Sequence, residues 1–211
     1  IENARYAMQF LRDDIVHGGY WGGYIPDFDD YSVQGNPDHE PTSKPNPVCK
    51  DYANPADWSE AYRDSLLGIP VEVYGPGSLP PGCSGVVTDR LADTDLLIVR
   101  HAATCKAGEA NCEAEDAGKM YIQVSNCEND TEPYALDPNS YDLRELCITP
   151  PDTLAAKRKF VQNIYYVRDW AYEDSPKDGI PTLVRSEFDL SGGVLKQQEP
   201  VALVEGIERF H

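Results

Sequence analysis

"IENARYAMQFLRDDIVHGGYWGG", residues 1–23, is the stretch whose reading decides the fold. Ile1, Ala4, Met8, Leu11 and Ile15 recur at alternating steps of three and four, which places them on one stripe of an α-helix. Glu2, Arg5, Gln9, Arg12 and Asp13 fall off that stripe. The segment reads as an amphipathic helix whose apolar face packs on the chain's own core, and it is too short for a coiled-coil seam. Its end is legible. His17 suits the negative C-terminal pole, and Gly18-Gly19 supply the left-handed backbone that closes a helix, so it stops near Val16 or His17. A start signal is missing: Ser, Thr, Asp or Asn ordinarily precedes the first apolar position, yet Ile1 already lies on the stripe. The uncapped start raises the question of what has been cut away ahead of residues 1–19.

Composition limits what this helix can serve. The chain has 211 residues, long enough for one full hydrophobic core. Thirty-six acidic against eighteen basic residues leave a net charge of −18. That charge repels phosphate backbones and anionic headgroups, which argues against nucleic acid or a membrane surface as a partner. Six cysteines are present: Cys49, Cys83, Cys105, Cys112, Cys127 and Cys147. They form no CxxC pair and have no histidine at zinc-ligand spacing, so disulfides in an oxidising compartment are the expectation. Cys105 and Cys112 enclose "KAGEAN", a turn-rich loop short enough for the two thiols to meet. The partners of the other four are left open. No apolar run is long enough to span a bilayer, and no signal peptide is visible.

Residues 20–81 are dense in Pro, Gly, Asn, Asp and aromatics, with one short helical piece in "NPADWSEAYRDSLLG" at 54–68. The Trp and Tyr content argues that this region packs on something, since a disordered linker carries few aromatics. Beyond Cys83, β-branched and aromatic runs predict strands at 95–102, 120–127, 160–170, 182–190 and 200–210. Strand–helix–strand alternation does not repeat, which disfavours a parallel doubly wound sheet. The fold class is therefore α+β, with residues 1–211 as a single head domain. Its parts are the helix at 1–19, a large disulfide-stapled irregular and β insertion at 20–151, and C-terminal antiparallel strands at 152–211 on which the helix lays its stripe.

Candidate chemistry is sparse. Asp27, Asp29, Asp30, Asn36, Asp38 and Glu40 offer oxygen ligands of the kind calcium takes. Tyr31 and Ser32 stand where an EF-hand loop needs another oxygen ligand and its turn glycine, so a solvated acidic loop is the preferred reading. His17, His39, His101 and His211 sit in no recognised catalytic frame. "RHAATC" sets Arg100 and His101 near Cys105, but a disulfide would consume the thiol and His101 falls at a strand end. Arg168 and Arg185 follow apolar strands and are expected to pair with neighbouring acids on the sheet surface. No catalytic, cofactor-binding or metal residue is assigned, and the chain is not expected to be an enzyme.

Three segments carry a family resemblance: "ENARYAMQFLRDDIVHGGYWG" at 2–22, "IYYVRDWAYEDSPKDGIPTLVR" at 164–185 and "PVALVEGIERF" at 200–210. They resemble the ends of PilW-type minor pilins of bacterial type IV pili, which are related to the J-type pseudopilins of type II secretion. The resemblance implies a type IV pilin-like fold. It also implies that residues 1–19 are the periplasmic half of a long helix, preceded by a hydrophobic membrane segment and a leader cut by the prepilin peptidase. The implied role is assembly: joining other minor pilins and the major pilin to prime fibre growth, then sitting at the pilus tip beneath an adhesin. Residence would be the periplasmic face of the inner membrane before assembly and the extracellular tip afterwards. Two alternatives stand beside it. One is an adhesive module whose residues near 25–82 bind calcium, a glycan or a surface receptor; the other is a type II secretion pseudopilin. No motif assigns a contact residue or a cofactor.

Overall fold

The computed structural model describes residues 2–26, 44–147, 153–172 and 176–211. Helix α1 runs Glu2–His17 and closes as its sequence dictates. The Gly18 N–H donates to the Ile15 carbonyl at 3.0 Å and the Tyr20 N–H to that of His17 at 2.8 Å, while Gly19 takes a φ of +80°. The helical piece at 54–68 divides into a 3-10 turn, Pro55–Asp57, and helix α2, Glu60–Gly68. Asn54 caps the turn and Ser59 caps α2, each side-chain oxygen accepting a backbone N–H that the helix leaves unpaired.

The strands are β1 (Val71–Tyr74), β2 (Leu96–Ala102), β3 (Tyr121–Val124), β4 (Tyr134–Asp137), β5 (Arg144–Leu146), β6 (Thr153–Leu154), β7 (Lys157–Arg168), β8 (Thr182–Ser191), β9 (Val194–Gln197) and β10 (Val201–Glu205). Eight form one antiparallel sheet, with β5 and β6 paired separately. β7 is its spine. Twelve residues long, it pairs β2 along one edge and both β3 and β8 along the other. β8 in turn carries β9 and β10.

This topology corrects the reading of residues 20–151 as an insertion beside a C-terminal sheet. β1, β2, β3 and β4 come from that stretch, and β2 lies directly against β7. All seven residues of β2 are buried, because both sheet faces are covered. Strand alternation sends Leu97, Val99 and His101 toward α1 and Leu96, Ile98 and Arg100 to the opposite face. That opposite face is packed by Trp21, Trp58, Tyr62, Leu66 and Leu67 around Phe160 and Phe188. Trp21, Trp58 and Tyr62 of the turn-rich region thus belong to the core. The six cysteines pair as Cys49–Cys83, Cys105–Cys112 and Cys127–Cys147, the middle one as the "KAGEAN" spacing predicts.

The packing face of α1 differs from the apolar stripe. Leu11 is buried, but Ala4 is exposed and Met8 and Ile15 are 65% and 44% exposed; Ile1 lies outside the described residues. The face that meets the sheet is turned by roughly a fifth of a turn toward Ala7 and Asp14. Ala7 and Leu11 there touch a cluster of Leu97, Val99, Tyr165, Leu183 and Val204. The reason is polar: the sheet offers donors at this place, and Asp14 takes them. Arg168 is a second correction. It is buried rather than on the surface, stacks its guanidinium 3.3 Å from the Trp170 ring centre and donates to the Trp170 and Ala171 carbonyls. Arg185 pairs with Glu187 at 3.2 Å, as expected.

Candidate functional site

His17 and His101 are brought together, their ring centres 5.7 Å apart, but among the described residues no nucleophile joins them. Cys105 is bonded to Cys112, so no thiol stands beside His101. His211 lies at the surface, 3.7 Å from Asp95. His39 and the acidic residues Asp27, Asp29, Asp30, Asn36, Asp38 and Glu40 fall outside the described residues. Among the described residues, no three His, Cys, Asp or Glu side chains gather in a metal-binding arrangement. Asp130 is typical of the acids that are well placed: its carboxylate is used up by protein donors. Ser125 Oγ reaches it at 2.6 Å, and the Arg144 backbone N–H and Nε at 2.8 and 2.7 Å. The hydrogen bond from Ser125 leads, with those from Arg144, in holding its pKa down to about 2.

Where His101 does sit is beneath α1. Its Nε2 donates to Asp14 Oδ1 at 2.7 Å, and its Nδ1 lies 2.9 Å from the Ala102 carbonyl. Asp14 Oδ2 accepts from Asn163 Nδ2 and from the Tyr165 hydroxyl, both at 2.9 Å. One helix carboxylate is thus the hub for β2 and β7. Burial by itself would push the Asp14 pKa up, but the bonds from His101 and Asn163 and the His101 charge hold it below the ordinary carboxylate value. Burial likewise opposes charge on His101, and the Asp14 bond with the Ala102 carbonyl outweighs it, raising the pKa. An Asp–His pair of this kind can serve a nucleophile. Here both ring nitrogens face protein acceptors and the ring is covered by α1, so the arrangement holds the helix instead.

A second polar cluster occupies the opposite face of the sheet. Arg100 Nη1 lies 2.6 Å from Glu72 Oε1 with both side chains wholly buried. Arg100 also donates to Gln162 Oε1 at 2.6 Å and to the Ile69 carbonyl at 2.8 Å, and the Tyr74 hydroxyl donates to Glu72 at 2.9 Å. It ties β1, β2 and β7 to the end of α2. It has no opening to solvent, and its role is structural.

The outer side of α1 is an exposed surface with apolar side chains. Tyr6, Met8, Ile15 and Val16 are exposed there, with Arg5 and Arg12 between them. Val71 and Val73 of the edge strand β1 are also exposed. A shallow, mainly apolar depression lies on that side, bordered by Ala4, Arg5, Met8, Gln9, Arg12 and Asp13, and such a surface suits contact with a polypeptide. Sequence reasoning found Met8 and Ile15 but assigned them inward, and it missed Asp14, Asn163 and Tyr165. A sequence signal for Asp14 exists in retrospect: it stands three positions after Leu11, where the packing face continues. Among the described residues, no helix is long and apolar enough to cross a membrane. Comparison of the chain with protein-family models, curated proteins and solved structures returns no match.

Proposed function

We propose that this chain is the head domain of a PilW-type minor pilin, an assembly component that acts by packing against other pilins. The observation that carries the reading is the double-sided helix α1: Ala7, Leu11 and Asp14 hold its own sheet, while Met8, Ile15 and Val16 face outward. A fibre subunit needs such a helix, with one side for its head and another for its neighbours. The helix laid on an antiparallel sheet and the residues at 2–22, 164–185 and 200–210 that resemble those pilins support the same reading. Three disulfides suit an oxidising compartment, such as the periplasm and the cell exterior. The partners are other minor pilins, the major pilin and a tip adhesin, in a complex that primes fibre growth and ends at the tip. Deleting the gene and counting surface fibres by electron microscopy tests this. Loss of fibres, restored by the intact gene, is the expected result; normal fibres refute it, and normal fibres with failed protein secretion would point to the type II pseudopilin.

A further inference from the structure

We infer that α1 is fastened to the sheet by a proton-dependent latch, in which His101 docks as an imidazolium between the Asp14 carboxylate and the Ala102 carbonyl and loosens the helix when it loses its proton. The donor inventory requires this. A neutral imidazole has one N–H and one lone pair, whereas the cation has two N–H groups. Both ring nitrogens of His101 face oxygens that only accept, at 2.7 and 2.9 Å. A neutral ring could satisfy one of them and would turn a lone pair on the other. The burial that makes two charge-assisted bonds strong makes one lone-pair contact costly.

Besides the latch, α1 is held by the packing of Ala7 and Leu11 and by Asn3 Nδ2, which donates to the Glu205 carbonyl at 2.9 Å. Ala7 and Leu11 are its only buried side chains among the described residues. The groups facing His101 and Asp14 come from every element around them. From α1, the His17 ring centre is 5.7 Å from that of His101, with Nδ1 turned 2.6 Å from the Asp13 carbonyl. From β7 come Asn163 and Tyr165, whose hydroxyl is pushed up by burial and by Asp14 and so keeps its proton. From β8 come Arg185, which interacts with Tyr165, and Glu187, which lies opposite Asn163 and pairs with Arg185. Among these groups, His101 and His17 are the imidazoles, and His101 is the one bonded to Asp14.

The sign follows from the directions of the shifts. The raised His101 value makes its contribution full below the ordinary imidazole range and lost as pH rises through the folded value. The lowered Asp14 value makes its contribution full above the ordinary carboxylate range and lost as pH falls through the folded value. The helix is therefore held most firmly between those ranges, in mildly acidic solution, and is looser in alkali. Loosening uncovers Leu97, Val99, Leu183 and Val204.

Two readouts on the unmodified chain test this: NMR titration of the His101 ring, and hydrogen exchange of α1 amides as protection factors from about pH 5.5 to about pH 9.5, roughly one unit below to three units above the ordinary imidazole value. The expected result is a His101 midpoint above that value, with α1 protection falling about tenfold through the same midpoint while β2 and β7 amides keep theirs. A midpoint at or below the ordinary value, or α1 protection that does not follow it, overturns the latch. In Asp14→Asn the midpoint should drop and the loosening should move with it; a midpoint unchanged in a folded variant also overturns it. If that variant does not fold, the titration of the unmodified chain decides.

Discussion

Replacing Glu72 by Gln should be among the most damaging conservative changes available in this chain. The carboxylate and the Arg100 guanidinium are both wholly buried, 2.6 Å apart. At an effective dielectric of about 20, their gross attraction is about 6 kcal/mol, most of it offset by the cost of taking both charges out of water. Glu72→Gln removes the attraction and leaves the desolvated cation. Arg100 would then keep only neutral partners, Gln162 and the Ile69 carbonyl, and Arg100 Nη2 already lacks an aligned hydrogen bond. The expected loss is about 3–5 kcal/mol. Arg100→Met should cost a similar amount by stranding the carboxylate. The double variant Glu72→Met/Arg100→Met should recover at least half of the worse single loss, since it strands no charge, although Gln162 Oε1 loses its donor. Urea unfolding followed by tryptophan fluorescence supplies the four midpoints. A loss below about 1 kcal/mol for Glu72→Gln, or a double variant no better than the worse single one, would refute the reasoning.

The packing face of α1 is tested by a contrast: Leu11→Ala should cost about 2–4 kcal/mol in chemical denaturation, whereas Met8→Ala and Ile15→Ala should stay within about 0.5 kcal/mol. Equal losses at all three would restore the apolar stripe as the buried face. The disulfides close loops of 34, 20 and 7 residues. Chain-entropy arguments then rank their removal at about 4, 3 and 2 kcal/mol, with paired Cys→Ala variants at Cys49/Cys83 melting lowest and those at Cys105/Cys112 highest. Gly82 and Gly77 share a left-handed backbone, but a Cβ at Gly82 would meet the Pro47 ring at 2.6 Å while one at Gly77 meets nothing within 4 Å. Gly82→Ala should therefore lose more than about 1 kcal/mol and exceed Gly77→Ala; the reverse order in thermal melts would count against the packing described there.

The helix and the main strands were legible because their signals are local. Gly18-Gly19 marked the end of α1, and β-branched runs marked β2, β3, β7, β8 and β10. The face of α1 was not legible. Hydrophobic periodicity assumes that buried means apolar, and here Asp14 is drawn inward by donors from β2 and β7 that lie far away in sequence. The same blindness hid β1. "VEVY", residues 71–74, lies in the turn-rich stretch and does not read as a strand, and its Glu72 is buried against an arginine on the neighbouring strand. Arg168 was misplaced for a related reason, since its guanidinium is held by the Trp170 ring and two carbonyls rather than by solvent. Disulfide pairing was legible only for Cys105 and Cys112, where the chain itself brings the thiols together. The other two pairs join residues that meet through the fold.

Assembly by packing is the central claim, and binding to pilin heads tests it most directly. Isothermal titration calorimetry of this chain against each pilin head encoded beside its gene should give a saturable heat for at least one of them. Met8→Glu on the outer side of α1 should weaken that binding about tenfold or more without unfolding the chain, because a charge on an apolar contact is costly. Binding to none of the co-encoded heads, with the protein folded and its disulfides intact, would contradict the account.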